Sequence, residues 1–539
     1  MHPHLGLYIF RGTHPRVSTA ELLGRLAREV ATIAALRSVE QARRLAERAL
    51  LHAGEIECLL ADHRSPRVAE VAAIVDALAD RALGVPAPLP SALPDLGADL
   101  PADVRPSPPE GFAYCAVGPD AFARLADTID LPGGAAGVIG IRTIGLTLAA
   151  SVAAALRRRG ARVTRASARP TGHPYARSLA PDAALLAWMI AERDRGSELF
   201  VVDEGPGMSG SSFLAVAEAL TRAGVDPRRV HLLGTRAPDP GLLLAEDAPR
   251  RLGALAGIRV APETARPDDG AVDLSAGAWR ARSYDGEAAW PAAWPAQERR
   301  KYLSADRRRL YKFEGLGRWG EAVCGRAAMV AEGGFGPSPT DAGDGFACYP
   351  VLPGRPLDRA DRSASLLDHL ARYCAFRASA GVAREAETAE LEAMVRHDSE
   401  VLLGRAIEIE LPVARPVIAD ARLEPHEWIA APDGHISKVD AGAHGDDQLF
   451  PGPVDIAWDL AGAIAEWDLE GSARRAFLDR YALLSGDQAA SRIEPYLVAY
   501  RVLGAARAAM AGATQQGAES VRWERERDRW IEAVSRGAA

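Results

Sequence analysis

The chain has 539 residues, 48% of them hydrophobic and 25% charged, with a formal net charge of −8. That length exceeds a single core and predicts three or four domains, with the composition of an ordinary soluble globular protein. The negative balance argues against non-specific nucleic-acid binding, and no apolar run reaches the ~18 residues a membrane span needs.

The opening "MHPHLGLYIFRGTHP" has no basic n-region, h-region or cleavage site, so no signal peptide is read there. Residues 17 to 84 predict helices. "STAELLGRLAREVATIAALRS" starts with a Ser-Thr cap and places Glu21 three residues after Ser18, the capping-box spacing. Leu22, Leu23, Leu26, Val30 and Ile33 then recur at helical spacing, and "VEQARRLAERALLHAGEIECLL" and "RVAEVAAIVDALADRAL" continue the pattern. No catalytic constellation falls here, so residues 1–85 are expected to be a helical packing or partner domain. Residues 86–109 carry eight prolines and read as a linker or an extended wrap over a neighbouring domain.

From 110 the pattern changes to alternating strands and helices. "GAAGVIGI", "ARVTRASA", "ELFVVD" and "RRVHLLGT" are strands, separated by helical stretches, which predicts a doubly wound parallel sheet over 110–281. A second break at 282–298 precedes short strands and then a mostly helical C-terminal α+β region, 299–539. The five cysteines (Cys58, Cys115, Cys324, Cys348 and Cys374) are scattered without CxxC spacing. Such a set fits a reducing cytoplasm better than a disulfide framework or zinc site.

The chemistry concentrates in "VVDEGPGMSGSSFLAVAEAL", Val201 to Leu220. An open parallel sheet binds ligands beyond the carboxyl ends of its strands, where Asp203 and Glu204 are expected. The helix after Ser209-Gly210-Ser211-Ser212 offers free N–H groups and the positive end of its dipole to an anion. Two carboxylates beside a phosphate cradle suit a ribose 5-phosphate. An acidic strand end followed by a Ser-capped helix is the alternative.

This stretch resembles the signature of type I phosphoribosyltransferases, an apolar strand, two acids, a spacer and Thr/Ser-Gly-x-Thr/Ser. The resemblance implies that Asp203 and Glu204 take the ribose hydroxyls of phosphoribosyl pyrophosphate (PRPP), and that Ser209, Gly210, Ser211 and Ser212 hold its 5-phosphate. The spacer "GPGM" is one residue longer than the family's. "VIGIRTIGLTLAASVAAAL" is placed like the family's pyrophosphate loop, which puts Arg142 and Gly145 against the leaving group. "RASARPTGHPYAR" occupies the place of the family's mobile loop, making Arg169, His173 and Arg177 candidate contacts, with a turn role for His173 as the alternative. The implied reaction is Mg2+-dependent phosphoribosyl transfer to a base-like acceptor.

Of the 64 basic residues only Lys301, Lys312 and Lys438 are lysines, so a lysine here marks either a place suited to a compact ammonium or a chance survival of the coding bias toward arginine. "LYKFEGLGRWGEAVCGRAAMVAEGGFGPSP" and "YPVLPGRPL" resemble the small lobe and hinge of aminoglycoside-phosphotransferase-like kinases. The resemblance implies that Lys312 holds ATP phosphates and pairs with Glu321. Asp440 then binds magnesium, and Asp459 anchors the catalytic loop. That loop departs from the family's His-Gly-Asp with Asn five residues on: here it reads "VIADARLEPHEW". Either Asp420 is still the base with Glu427 or His426 as metal ligand, or phosphotransfer has been lost.

The combination is similar to multidomain phosphoribosyltransferases associated with bacterial tellurium-resistance and stress operons. It implies a cytoplasmic enzyme of small-molecule substrates (PRPP, base-like acceptor, ATP), with no membrane or nucleic-acid partner and N-terminal helices available for protein contacts. A nucleotide-sensing regulator with an inactive kinase-like domain is the alternative.

Overall fold

The structure is a computed structural model describing residues 6–9, 12, 14, 16–36, 38–207, 209–237, 239–262, 266–450 and 452–537. Met208, inside the "GPGM" spacer, lies outside the described residues. The chain forms two compact units, residues 16–265 and residues 266–539 with the first 15. Among the described residues no helix is long and apolar enough to cross a membrane.

The 16–265 unit begins with α1 (Thr19–Ala35), α2 (Val39–Asp62) and α3 (Val68–Ala82). Ser18 caps α1 by accepting from the Glu21 N–H, and Leu22, Leu26, Val30 and Ile33 form its buried stripe. The stripe is buried against α2, α3 and Ala150 and Ala154 of the following α/β layer, with Leu96, Leu100 and Val104 of the proline-rich segment completing the cluster. Residues 86–109 are therefore a wrap, and the helices expected to form a separate domain share a core with the sheet that follows.

That sheet contains β1 (Ala135–Ile141), β2 (Arg162–Ala168), β3 (Glu198–Val202), β4 (Val230–Gly234) and β5 (Gly257–Val260). The order is β2-β1-β3-β4-β5, with every pairing parallel. Helices α4 (Ile144–Arg158), α5 (Ala183–Arg195) and α6 (Ser211–Arg222) connect them. All seven residues of β1 are buried, as a central strand covered on both faces requires. Strand order reverses beside β1, so the loops after β1 and β3 diverge and leave a crevice at the carboxyl edge.

The second unit opens with a five-stranded antiparallel sheet: β6 (Gly270–Asp273), β7 (Lys301–Ser304), β8 (Arg309–Phe313), β9 (Thr340–Asp341) and β10 (Phe346–Pro350), in the order β9-β10-β8-β7-β6. Because Gly270–Asp273 pairs with β7, the boundary falls at 265/266 and not at the proline-containing break of 282–298. Helix α7 (Gly317–Glu332) follows β8. Beyond β10 lie α8 (Ala364–Ala380), α9 (Ala389–Leu403), the hairpin β11 (Trp428–Ala430) and β12 (Ile436–Lys438), and α10 (Ala457–Glu466), α11 (Gly471–Ser485), α12 (Ile493–Thr514) and α13 (Ala518–Gly537). α10 is buried throughout and forms the centre of the helical core with Trp428, Tyr373, Tyr481 and Tyr496.

Candidate functional site

In the 16–265 unit the parallel register brings the two expected loops together. Gly145, in the first turn of α4, lies so close to the end of β3 that a Cβ there would sit 2.3 Å from the Val202 carbonyl oxygen. Only glycine lets α4 start against β3. Between β1 and α4, Thr143 holds φ 141°, a conformation L-residues rarely adopt. Asp203 and Glu204 follow β3 directly, and the Asp203 carboxylate accepts from the Glu204 N–H at 2.9 Å. Burial pushes Asp203 up to about 8 and Glu204 up to about 7, with the neighbouring Glu110 charge adding to both. Arg177 acts against the shift at Asp203, and the Gly111 N–H, Cys115 and Arg236 act against it at Glu204, so burial outweighs the groups the protein places beside the two acids.

Gly210, with φ 70°, turns the chain into α6. The Ser209 and Ser211 hydroxyls both donate to the Pro174 carbonyl, at 2.8 and 2.6 Å. The segment 170–178 is thus folded over Ser209 and Ser211, closed on itself by the Thr171–Ser178 bridge. Ser212 lies half-buried in the first turn of α6. His173 is exposed and its ring accepts from the Tyr175 N–H at 3.2 Å, so the turn role read as its alternative is present. Arg177 donates to the Pro170 carbonyl at 3.2 Å, and its charge reaches Asp203.

Arg142 and Arg169 converge on a residue that no sequence motif marks. Asp62, the last residue of α2, accepts from Arg169 at 2.6 and 2.7 Å and from Arg142 at 3.2 Å. Arg169 also donates to Cys58 at 3.1 Å. Lower on the same face, Arg165 makes a two-pronged pair with Glu57 at 2.9 Å and reaches Asp76 at 3.0 Å. Nothing in local spacing signals Asp62, because its partners are about 80 and 107 residues away. The acid ties together the two arginines that follow β1 and β2.

In the 266–537 unit Lys312 is buried on β8, with Asp440 against its ammonium and Glu314 at 3.4 Å. Glu321, the partner implied by the resemblance, lies exposed on α7. Glu314 takes that place because i and i+2 of an extended chain share a face, and the Tyr349 hydroxyl fixes it at 2.8 Å. Asp440, at φ 61°, follows β12; Lys312 and His444 hold its carboxyl well below the usual range.

Asp459 accepts from the backbone N–H groups of Asp420 and Ala421, both at 3.0 Å. It therefore does sit under the turn it was read to anchor. The Asp420 carboxylate points inward: it is 1% exposed, takes the Tyr373 hydroxyl, and lies 3.4 Å from Lys438. Lys438 in turn donates to Glu427 at 2.7 Å. Burial pushes Glu427 up to about 8 despite that ammonium. His426 is stacked on Trp279 and lies 3.4 Å from Glu424. Asp420, Glu427 and His444 have donor atoms within 4.8 Å of one another. A cavity of about 470 Å³ adjoins this cluster, lined among others by Arg422, His426, His444, Asp447, Tyr500 and Arg507. Arg422 faces it in a pair with Asp447 at 3.1 Å.

No protein-family profile and no curated protein matches the chain. Among solved structures it is similar to the choline kinase LicA from Streptococcus pneumoniae, 15% identical over 44% of this chain and 89% of that one, with a TM-score of 0.31. It is similar to a Plasmodium vivax ethanolamine kinase, 11% identical over 45% of this chain and 79% of that one, also at 0.31. A macrolide 2'-phosphotransferase from Brachybacterium faecium is 16% identical over 43% of this chain and 88% of that one, at 0.29.

Proposed function

We propose that the 16–265 unit transfers a phosphoribosyl group from PRPP to a base-like acceptor and that the 266–537 unit binds ATP. The observation that carries the first half is the meeting, at the strand-order reversal, of the Asp203-Glu204 pair, the Ser209–Ser212 helix start and the Gly145 close approach. Asp203 and Glu204 accept from the ribose hydroxyls and stabilise the positive charge that grows on the ring as pyrophosphate leaves. The serines and the N–H groups opening α6 take the 5-phosphate once the Pro174 carbonyl moves off them. Arg142 and Arg169, poised by Asp62, exchange part of that pairing for the leaving pyrophosphate. The anomeric C–O bond breaks, its electron pair departs with pyrophosphate, and the acceptor nitrogen forms the new C–N bond. Bound Mg2+ supplies charge neutralisation on the leaving group.

In the second unit Lys312 pairs with phosphate oxygens and Asp440 offers a hard oxygen to the metal of the nucleotide. A phosphotransferase acting on a small molecule is the active form of that site. The sensor reading has its own support: five residues before Glu427, where the resembled kinases carry their base, stands Arg422.

The test is pyrophosphate release from PRPP and magnesium across a panel of purine, pyrimidine and related bases. Base-dependent release lost in Asp203→Asn/Glu204→Gln supports transfer. PRPP that neither raises the melting temperature nor releases pyrophosphate rejects it.

A further inference from the structure

We infer that Asp420, Glu427 and His444 form a binding site for a divalent metal of the manganese-to-zinc class, separate from any magnesium carried with nucleotide at Asp440. The three residues offer two carboxylates and an imidazole whose donor atoms lie within 4.8 Å of one another. His444 makes this more than an acidic cluster. It is only 8% exposed, and its Nδ1 has no hydrogen-bond partner among the described residues. That nitrogen faces Glu427 Oε1 at 3.8 Å, too far for a hydrogen bond and compatible with two ligands meeting on one ion. The other ring nitrogen, Nε2, faces Asp440 at 3.6 Å, likewise beyond hydrogen-bond distance.

The backbone is built to hold the imidazole there. A Cβ on Gly445 would fall 1.9 Å from the Ala419 carbonyl oxygen, so His444 is carried directly against the turn that bears Asp420. Lys438 holds the opposite oxygen of Glu427 at 2.7 Å and lies 3.4 Å from Asp420, leaving Glu427 Oε1 turned to His444. Tyr373 donates to the remaining oxygen of Asp420. An imidazole nitrogen beside two carboxylates selects manganese, iron, cobalt or zinc over magnesium, which prefers oxygen and its own water. His444 also lines the cavity, which gives the ion an entry path.

The site stands on these residues and not on phosphotransfer, so it is tested without PRPP or ATP. The metal-free full-length protein is titrated with Mn2+ and Mg2+, following melting temperature and the electron-spin-echo spectrum of bound Mn2+. The expected result is that Mn2+ binds more tightly than Mg2+ and shows nitrogen hyperfine coupling. In His444→Ala the coupling disappears and Mn2+ affinity falls by at least about tenfold, since even losing an orienting partner costs ~10–100-fold. His444 Nε2 lies 3.6 Å from Asp440, so Asp440→Asn is measured alongside: nitrogen coupling that persists in it belongs to the Asp420, Glu427 and His444 site, and coupling lost with Asp440 overturns the proposal. Should His444→Ala not fold, His444→Gln, which keeps the bulk and loses the imidazole, gives the same readout and separates this site from the neighbouring Glu424, His426 and Glu427 group. Mn2+ binding no tighter than Mg2+, or bound Mn2+ without nitrogen coupling, overturns the proposal and leaves Lys438 as the built-in cation of the two carboxylates.

Discussion

Replacing Asp203 by asparagine should make the ligand-free protein more stable. The carboxyl is raised from 3.8 to about 8, chiefly by burial. In the unfolded chain it ionises near 4, while the folded protein keeps its proton, or bears the cost of a buried charge, until about pH 8. The native state therefore binds more protons across that window, and stability falls as pH rises through it. At ~1.4 kcal/mol per pH unit, roughly three units to pH 7 set a ceiling of about 4 kcal/mol. Partial exposure of the carboxyl and its coupling to Glu204 reduce this, and we expect roughly 1–3 kcal/mol. The substituted amide keeps an oxygen for the Glu204 N–H, so no hydrogen bond is lost. Thermal unfolding of both proteins from pH 4 to 9 measures the difference. It should be near zero at about pH 4, grow in favour of Asp203→Asn up to about pH 8, and then level off. Adding PRPP with magnesium should invert the order near pH 7. A difference independent of pH, or a variant less stable throughout, would refute the argument that this acid is kept at the expense of the fold.

Gly145→Ala should cost about 1–3 kcal/mol in urea unfolding, because the new methyl must displace the end of β3. Arg165→Met should cost roughly 3–5 kcal/mol by stranding the buried Glu57 carboxylate, with much of it recovered in Arg165→Met/Glu57→Leu by the same assay. Ser209→Ala/Ser211→Ala should remove both hydroxyl donors to the Pro174 carbonyl. Limited proteolysis should then cut the 170–178 segment faster in the double variant, and equal rates would show that the contact does not hold it. Lys438→Arg should destabilise by about 1–3 kcal/mol on denaturation, since a planar fork overfills the space between Asp420 and Glu427.

What the sequence makes legible follows the distance over which each signal acts. The capping pattern at Ser18, the βαβ alternation and the acid-loop-helix run at Asp203 are local, and each element forms where its pattern lies. For residues 86–109 the sequence admits both a wrap and a linker, because proline content reports stiffness but not what Leu96, Leu100 and Val104 touch. Asp62 and Glu314 escape a sequence reading because their importance comes from side chains brought to them by the fold. His444 escapes it for a related reason: in "AGAHGDDQLF" it is one polar residue among several, and only the packing of Gly445 on Ala419 turns it towards Glu427.

The lysines carry the last step. All three fall in the second unit, and Lys301 and Lys312 face one another across β7 and β8. Lys312 and Lys438 are 6% and 1% exposed, and each is pressed between two acids. In a chain that otherwise uses arginine as its cation, these are the sites where a single compact ammonium fits and a five-donor fork does not. Arg422 shows the opposite preference. It stands at the cavity wall with room for a fork against Asp447 at 3.1 Å. Asp459 holds the turn at Asp420 and Ala421 through two backbone hydrogen bonds of 3.0 Å. That anchoring sets the Asp420 carboxylate on the inner side of the turn, 3.4 Å from Lys438, beside Glu427 and His444.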